Sequence, residues 1–258
     1  MLSFSQIKQG YPAALHQFPR FIFREYLQYR LLKSIFESQF ARQYAFLGGT
    51  CIRIVHGNQR FSEDLDFDNF QLNETDFAAL SAIIKKDLEA EGYQVEIQVV
   101  QKGAYHCYIR FPELLYQEGL SGHRGEKILI QLDTEPQDFD FQPVGFLLNK
   151  FDVFTQIFVT PPDLLLSQKF YAICNRRRNK GRDFFDAAFL LAFAQPNYDY
   201  LDLKLGVKDE KSLKERLLAR CAELDMAGMA ADVQPFLFNP SDAKRVLLFP
   251  DLIKQVKL

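Results

Sequence analysis

Residues 46–68 read FLGGTCIRIVHGNQRFSEDLDFD. Gly48-Gly49 closes a short apolar run, Tyr44–Leu47, with the composition of a strand. Thr50–Val55 predicts a brief helix that stops near Gly57. Phe61–Phe67 predicts the next strand, in which Asp64, Asp66 and Asp68 alternate with Leu65, Phe67 and Asn69. Period-two geometry places Asp64 and Asp66 on one face while Leu65 and Phe67 enter a core. Carboxylates sharing a face repel unless a cation lies between them. A hard divalent ion, Mg2+ or Mn2+, would relieve that repulsion and could bridge triphosphate oxygens. The preceding glycines permit a tight turn and close phosphate approach, and amides at the following helix start can receive an anion. An acid-rich edge strand in solvent would carry the same aspartates, so the order of glycine turn and carboxylate strand is what points to metal-assisted chemistry on a triphosphate.

Neighbouring residues extend that candidate site. Thr50 offers a hydroxyl to a phosphate or serves as a cap, and Arg53, Arg60 and Ser62 lie close enough in sequence to assist phosphate binding. Taken singly, each of these also fits a surface or structural role. A third carboxylate would complete the metal cage from a neighbouring strand. The segment KILIQLD, residues 127–133, supplies Asp133 for that position. Gln131 shares its face and is non-ionic, so a site using Gln131 instead would keep only two strong ligands.

A second informative stretch, LLLSQKFYAICNRRRNKGRDFFDAAFLL, spans residues 164–191. Leu165, Leu166, Phe170, Ile173 and Cys174 can bury one helix, leaving Lys169 at a core edge with its amine extended toward a pocket. Asp183 and Asp186 are three apart and share a helical face. One account gives Lys169 a triphosphate oxygen to neutralise, with Asp183 orienting it. Another makes Lys169, Arg182, Asp183 and Asp186 an ion-pair network between two helices. Arg176, Arg177, Arg178, Lys180 and Arg182 form a basic run suited to an RNA backbone, or to a solvated helix end.

Together these stretches resemble the AbiEii/AbiGii-type toxin family of minimal nucleotidyltransferases. The resemblance rests on GGT, then RFSEDLDF, then Lys169 followed by Arg182-Asp183 and Asp186, and covers roughly residues 21–195. It implies a polymerase-beta-like nucleotidyltransferase core, α/β with a mixed twisted sheet, joined to a mainly helical domain. It also implies an enzyme that moves a nucleoside monophosphate from a nucleoside triphosphate onto an acceptor hydroxyl. That acceptor would be RNA such as a tRNA end, and a cognate antitoxin in phage defence would be the partner. By the same resemblance Gly48 and Gly49 belong to the phosphate-binding turn, Asp64 and Asp66 to the metal pair, and Lys169 and Asp183 to the active site. A protein hydroxyl as acceptor, or a catalytically inactive nucleotide- or partner-binding module of the same fold, are the alternatives.

Size and charge agree with such a chain. At 258 residues it can bury a large core, and 31 basic against 33 acidic residues exclude a general polyanion binder. Any nucleic-acid contact must then come from local patches. Cys51, Cys107, Cys174 and Cys221 form no CxxC pair and read as reduced thiols of a cytoplasmic protein. No apolar run reaches membrane-spanning length, which predicts no membrane partner.

Beyond the two stretches, helices are predicted at Arg20–Phe40, Asp76–Glu91, Arg182–Ala194 and Lys211–Met226. A further helix is predicted from Thr160, as cap, to about Arg178. Tyr93–Val100 and Ala104–Phe111 predict a hairpin turning at Gln101-Lys102-Gly103. Pro136 and Pro143 argue against one regular element between residues 134 and 152. The expected division is an α/β nucleotidyltransferase-like domain over residues 1–155 and a helical domain over 156–258.

Overall fold

The computed structural model describes residues 2–102, 104–136 and 138–258. Two compact units emerge: Met1–Cys51 with Phe61–Val159, and Ile52–Arg60 with Thr160–Leu258.

The first unit contains helices α1 (Phe4–Gln9) and α2 (Pro19–Glu37), strand β1 (Tyr44–Leu47) and the start of helix α3 (Gly48–His56). Strand β2 (Leu65–Asn69), helix α4 (Glu74–Ala90), strands β3 (Glu96–Lys102) and β4 (Ala104–Phe111) and the short helix α5 (Leu114–Gln117) follow. Strands β5 (Ile128–Glu135), β6 (Val144–Lys150) and β7 (Val153–Val159) complete it. The seven strands form one mixed sheet in the order β3-β4-β5-β2-β1-β7-β6. β2 lies near its middle, antiparallel to β1 and parallel to β5.

Alternation decides which side chains reach the core. Leu65 and Phe67 of β2, Cys107 and Ile109 of β4, and Ile128, Ile130 and Leu132 of β5 are buried on one sheet face. Helices α2 and α4 pack against that face, with Phe36 of α2 against Phe67 and Phe77 of α4 stacked on Tyr105. Each fully buried Leu or Phe contributes about 1.5–3 kcal/mol. The opposite phase carries Asp66, Gln131 and Asp133, so the apolar alternation that builds the core also sends these polar groups to the other face.

α2 is more central than an amphipathic surface helix, with 13 of its 19 residues buried. Its buried polar groups are matched. Tyr11 Oη donates to Glu25, Arg30 pairs with Glu91 and Asp152, and Ser34 donates to Asp87. Gln28 Nε2 donates to the carbonyls of Ser62 and Glu63 at 3.0 and 2.9 Å. That last contact explains why β2 begins at Leu65 and not at Phe61. The carbonyls of residues 62–64 are taken by Gln28 and by the Thr50 hydroxyl, while Phe61 stacks on Phe21 at 5.2 Å. The segment is anchored by side chains and has no place in a ladder.

β3 and β4 form the expected hairpin, paired from Glu96↔Arg110 to Lys102↔Ala104. Gly103 of the predicted turn lies outside the described residues. β6 and β7 form a second hairpin that the prolines concealed. Pro143 stands just before β6, where it costs no ladder hydrogen bond.

The second unit is helical: α6 (Pro162–Asn175), α7 (Gly181–Leu190), α8 (Tyr198–Leu205), α9 (Glu210–Ala222), α10 (Met226–Val233), α11 (Lys244–Leu247) and α12 (Phe249–Gln255). Phe170, Ile173, Phe184, Leu190, Leu213, Leu217, Phe249 and Ile253 form its core. Residues 52–60 are joined to it by the bridge Arg60↔Leu237 and by Phe238 N–H donating to the Gln59 carbonyl. Thr160 is not the cap of α6. The N-cap is Pro161, and the Thr160 hydroxyl is buried without a hydrogen-bond partner. Pro161 and Pro162 lack N–H groups, which reduces what a cap could satisfy. No helix among the described residues is long and apolar enough to cross a membrane.

Candidate active site

Asp66 of β2 stands opposite Leu47 of β1 on one side and Asp133 of β5 on the other. Asp133 in turn stands opposite His106 of β4. Cross-strand partners share a face, so the two carboxylates and the imidazole form a row across three adjacent strands. The row floors a cleft of about 210 Å3 lined by Leu47, Asp66, Phe67, Ala104, His106, Asp133, Thr134 and Glu135. Asp64 directly precedes β2, and its carbonyl accepts from the Thr50 hydroxyl.

Gly48 ends β1 and begins α3 with φ +76°. A Cβ there would stand 2.9 Å from the Cβ and Cγ of Asp66. Glycine is therefore required twice, once by the backbone and once by the carboxylate that occupies its side-chain space. Gly49, Thr50 and Cys51 continue into the helix. Burial and then the Asp66 charge push the Cys51 thiol up, which keeps it protonated and unreactive.

Strand β5 carries both Asp133 and Gln131. Asp133 is the residue in register with Asp66, and Gln131 serves it as a donor. Gln131 Nε2 lies 2.8 and 3.0 Å from the two Asp133 oxygens, and His106 Nδ1 lies 2.6 Å from Oδ1. Nothing in the sequence motif singled out His106. Alternation along AYHCYIRF puts it on the polar face, but the strand order was needed to bring it to Asp133.

Among the described residues no group of three or more His, Cys, Asp or Glu side chains is arranged to hold a metal ion. The donor chemistry is nevertheless suitable, since Asp64, Asp66 and Asp133 offer hard oxygens of the type Mg2+ and Mn2+ take. The lack of a Cβ at Gly48 makes room for the Asp66 carboxylate itself.

In the helical unit Lys169 lies 3.1 Å from Asp183 Oδ1 and 2.9 Å from Asp186 Oδ2. Arg176 binds the second Asp183 oxygen at 2.7 Å. Asp186, the most enclosed member, also receives Asn58 and both Arg60 Nε and Nη2. Burial alone would push the Asp186 carboxyl up, but the charges and hydrogen bonds of Arg60 and Lys169 outweigh it and hold the group below its ordinary value. Arg60 is 1% exposed and committed to this carboxylate. Arg53 bonds the Asn58 carbonyl and lies over the Phe238 ring at 4.5 Å. Ser62 belongs to the first unit, where its carbonyl is taken by Gln28. Of the basic run, Arg176, Arg177 and Arg178 are exposed, and Arg220 fixes their turn through the Arg176 carbonyl and Asn179.

Comparison with known proteins follows the same lines. The family described as "Nucleotidyl transferase AbiEii toxin, Type IV TA system" matches residues 30–246. Among solved structures, a putative nucleotidyltransferase from Helicobacter pylori is 18% identical with a TM-score of 0.56, covering 90% of this chain and 93% of that one. JHP933 from Helicobacter pylori is 17% identical with a TM-score of 0.54, covering 90% and 91%. MenT4, a nucleotidyltransferase toxin from Mycobacterium tuberculosis, is 15% identical with a TM-score of 0.55, covering 100% and 91%. At these identities the likeness is one of fold. No curated protein matches the chain.

Proposed function

Because this chain belongs to the AbiEii family of nucleotidyl transferase toxins, we propose that it transfers a nucleoside monophosphate from a nucleoside triphosphate to an acceptor hydroxyl. The observation that carries this reading is the in-register pair Asp66↔Asp133 beside a glycine whose side-chain space Asp66 occupies. Asp64 and Asp66 would hold Mg2+ or Mn2+, with Asp133 as the third carboxylate. When bound, the ion would stabilise charge on the reacting phosphate and help activate the acceptor hydroxyl. The Gly48-Gly49 turn and the first amides of α3 receive phosphate oxygens, with Thr50 supporting the turn through Asp64. The acceptor oxygen forms a bond to the α-phosphorus, the α–β bridging bond breaks, pyrophosphate leaves and the hydroxyl proton is released.

In the helical unit Lys169 is assigned to a phosphate oxygen, with Asp183 and Asp186 orienting its ammonium. The exposed arginines 176–178 are assigned to an RNA backbone, which makes RNA of tRNA type the favoured acceptor. The family description supports a toxin role with a cognate antitoxin. The four free cysteines support a reducing, cytoplasmic setting.

The test is incubation of the protein with each labelled triphosphate, magnesium and total RNA. Label in RNA supports the reading and identifies the nucleotide. Label on protein alone would move the activity to protein nucleotidylation, and no label under any triphosphate would contradict transferase function.

A further inference from the structure

We infer that His106 and Gln131 are positioning residues that hold Asp133 as a one-point ligand, and so make the site select Mg2+ or Mn2+ over Ca2+. This rests on the nucleotidyl-transfer reading above.

An ionised carboxylate only accepts hydrogen bonds, so His106 must present its protonated Nδ1 to Asp133. A carboxylate has about four lone-pair sites. On Asp133, Oδ1 receives both His106 and Gln131, and Oδ2 receives Gln131. One site remains, on Oδ2. The donors are themselves held in place, since His106 lies in register with Asp133 and near-parallel to the Tyr108 ring, 29° between planes. Gln131 shares the strand of Asp133 and faces Tyr108.

Held this way, Asp133 cannot turn both oxygens to one ion. Mg2+ demands near-octahedral geometry and takes carboxylates singly, whereas Ca2+ accepts six to eight oxygens and bidentate carboxylates. A freely turning Asp133, 29% exposed, would offer the bidentate option. The two donors close it.

The test measures binding directly. Mn2+ is titrated by electron paramagnetic resonance, and Ca2+ by its competition with Mn2+. The proteins are the wild type and the variants His106→Ala, His106→Asn, Gln131→Ala and Asp66→Asn. Removing a partner that orients a metal ligand costs about 10- to 100-fold in affinity, so His106→Ala and Gln131→Ala are expected to weaken Mn2+ by that factor. They should weaken Ca2+ much less, which shifts the ratio of the two affinities. His106→Asn, whose amide can donate in place of Nδ1, is expected to restore the wild-type ratio. A purely structural role would lower both affinities alike and leave the ratio unmoved, and that result would overturn the inference. So would unchanged Mn2+ binding in His106→Ala. Should His106→Ala fail to fold, Gln131→Ala carries the same test. Asp66→Asn separates the two levels: Mn2+ binding untouched by it would sink the nucleotidyl-transfer reading itself. Binding lost in Asp66→Asn but unaffected by the His106 and Gln131 changes would sink the positioning role alone.

Discussion

Asp66 and Asp133 stand opposite each other on parallel neighbouring strands, β2 and β5, in the middle of the sheet. Leu65 and Leu132, one residue earlier on each strand, are paired in the same way and buried. One register therefore aligns the core pair and the carboxylate pair. A slip of one residue would bury the acids and expose the leucines, so the core's own energetics hold the acids in place.

Gly48 is the first place to test that arrangement. Gly48→Ala forces a side chain into a φ of +76°, at a cost of about 1–2 kcal/mol, and drives a Cβ against Asp66. Gly57→Ala is the control, because its φ is +78° but a Cβ there meets nothing within 4 Å. Gly48→Ala should lose more stability than Gly57→Ala in urea unfolding, by about 1–3 kcal/mol, the cost of forcing a group into occupied space. Only Gly48→Ala should lose Mn2+ binding and transfer activity.

Much of this was written in the sequence and some was not. The strand–turn–helix at Tyr44–His56 could be read because Gly48-Gly49 and Gly57 bracket it, and Asp66 could be placed by alternation with Leu65 and Phe67. The start of β2 was misread because the partners of residues 62–64 are side chains distant in sequence, Gln28 and Thr50. The β6–β7 hairpin is hidden in the sequence by Pro136 and Pro143, which argue against a regular element there, and by the exposed Leu147 and Phe154, which blur the apolar alternation. His106 could not be found without the order β4-β5-β2, since only that topology sets it beside Asp133. Proximity in sequence to the aspartates suggests a phosphate role for Arg60, and only the structure shows its guanidinium paired with Asp186, 126 residues away.

The Arg60–Asp186 pair should be a main support of that unit. Both groups are essentially inaccessible, and removing one partner of a buried pair costs about 3–5 kcal/mol when the other charge is left uncompensated. Lys169, 2.9 Å from Asp186, still compensates it in part, so Arg60→Ala should lose stability at the lower end of that scale in urea unfolding. The double variant Arg60→Met with Asp186→Leu should lose less than the two single variants summed. Full additivity would mean the two side chains do not support each other.

Acid sensitivity should appear in two separate windows. Burial lowers the His56 pKa from its ordinary value of 6.5, and His56 Nε2 is buried without a hydrogen-bond partner. As pH falls below about 6.5 the unfolded chain takes up a proton that the native state resists, so stability declines. Asp186, held below its ordinary value, contributes stability above its unfolded pKa of about 3.9 and loses it only as pH falls through the depressed native value. Unfolding midpoints at about pH 7.5 and about pH 5.5 should therefore differ through His56 and not Asp186. His56→Phe should reduce that difference. An unchanged difference would remove His56 as its source.

The most direct test of the transferase assignment is labelled-nucleotide transfer in magnesium by wild type, Asp64→Asn, Asp66→Asn and the double variant, each first shown to be folded by its unfolding midpoint. Transfer by wild type and loss of about 100-fold or more in each aspartate variant is the predicted result, on the scale expected when an electrostatic element of a transition state is removed. Wild-type-level transfer by the folded double variant would contradict it.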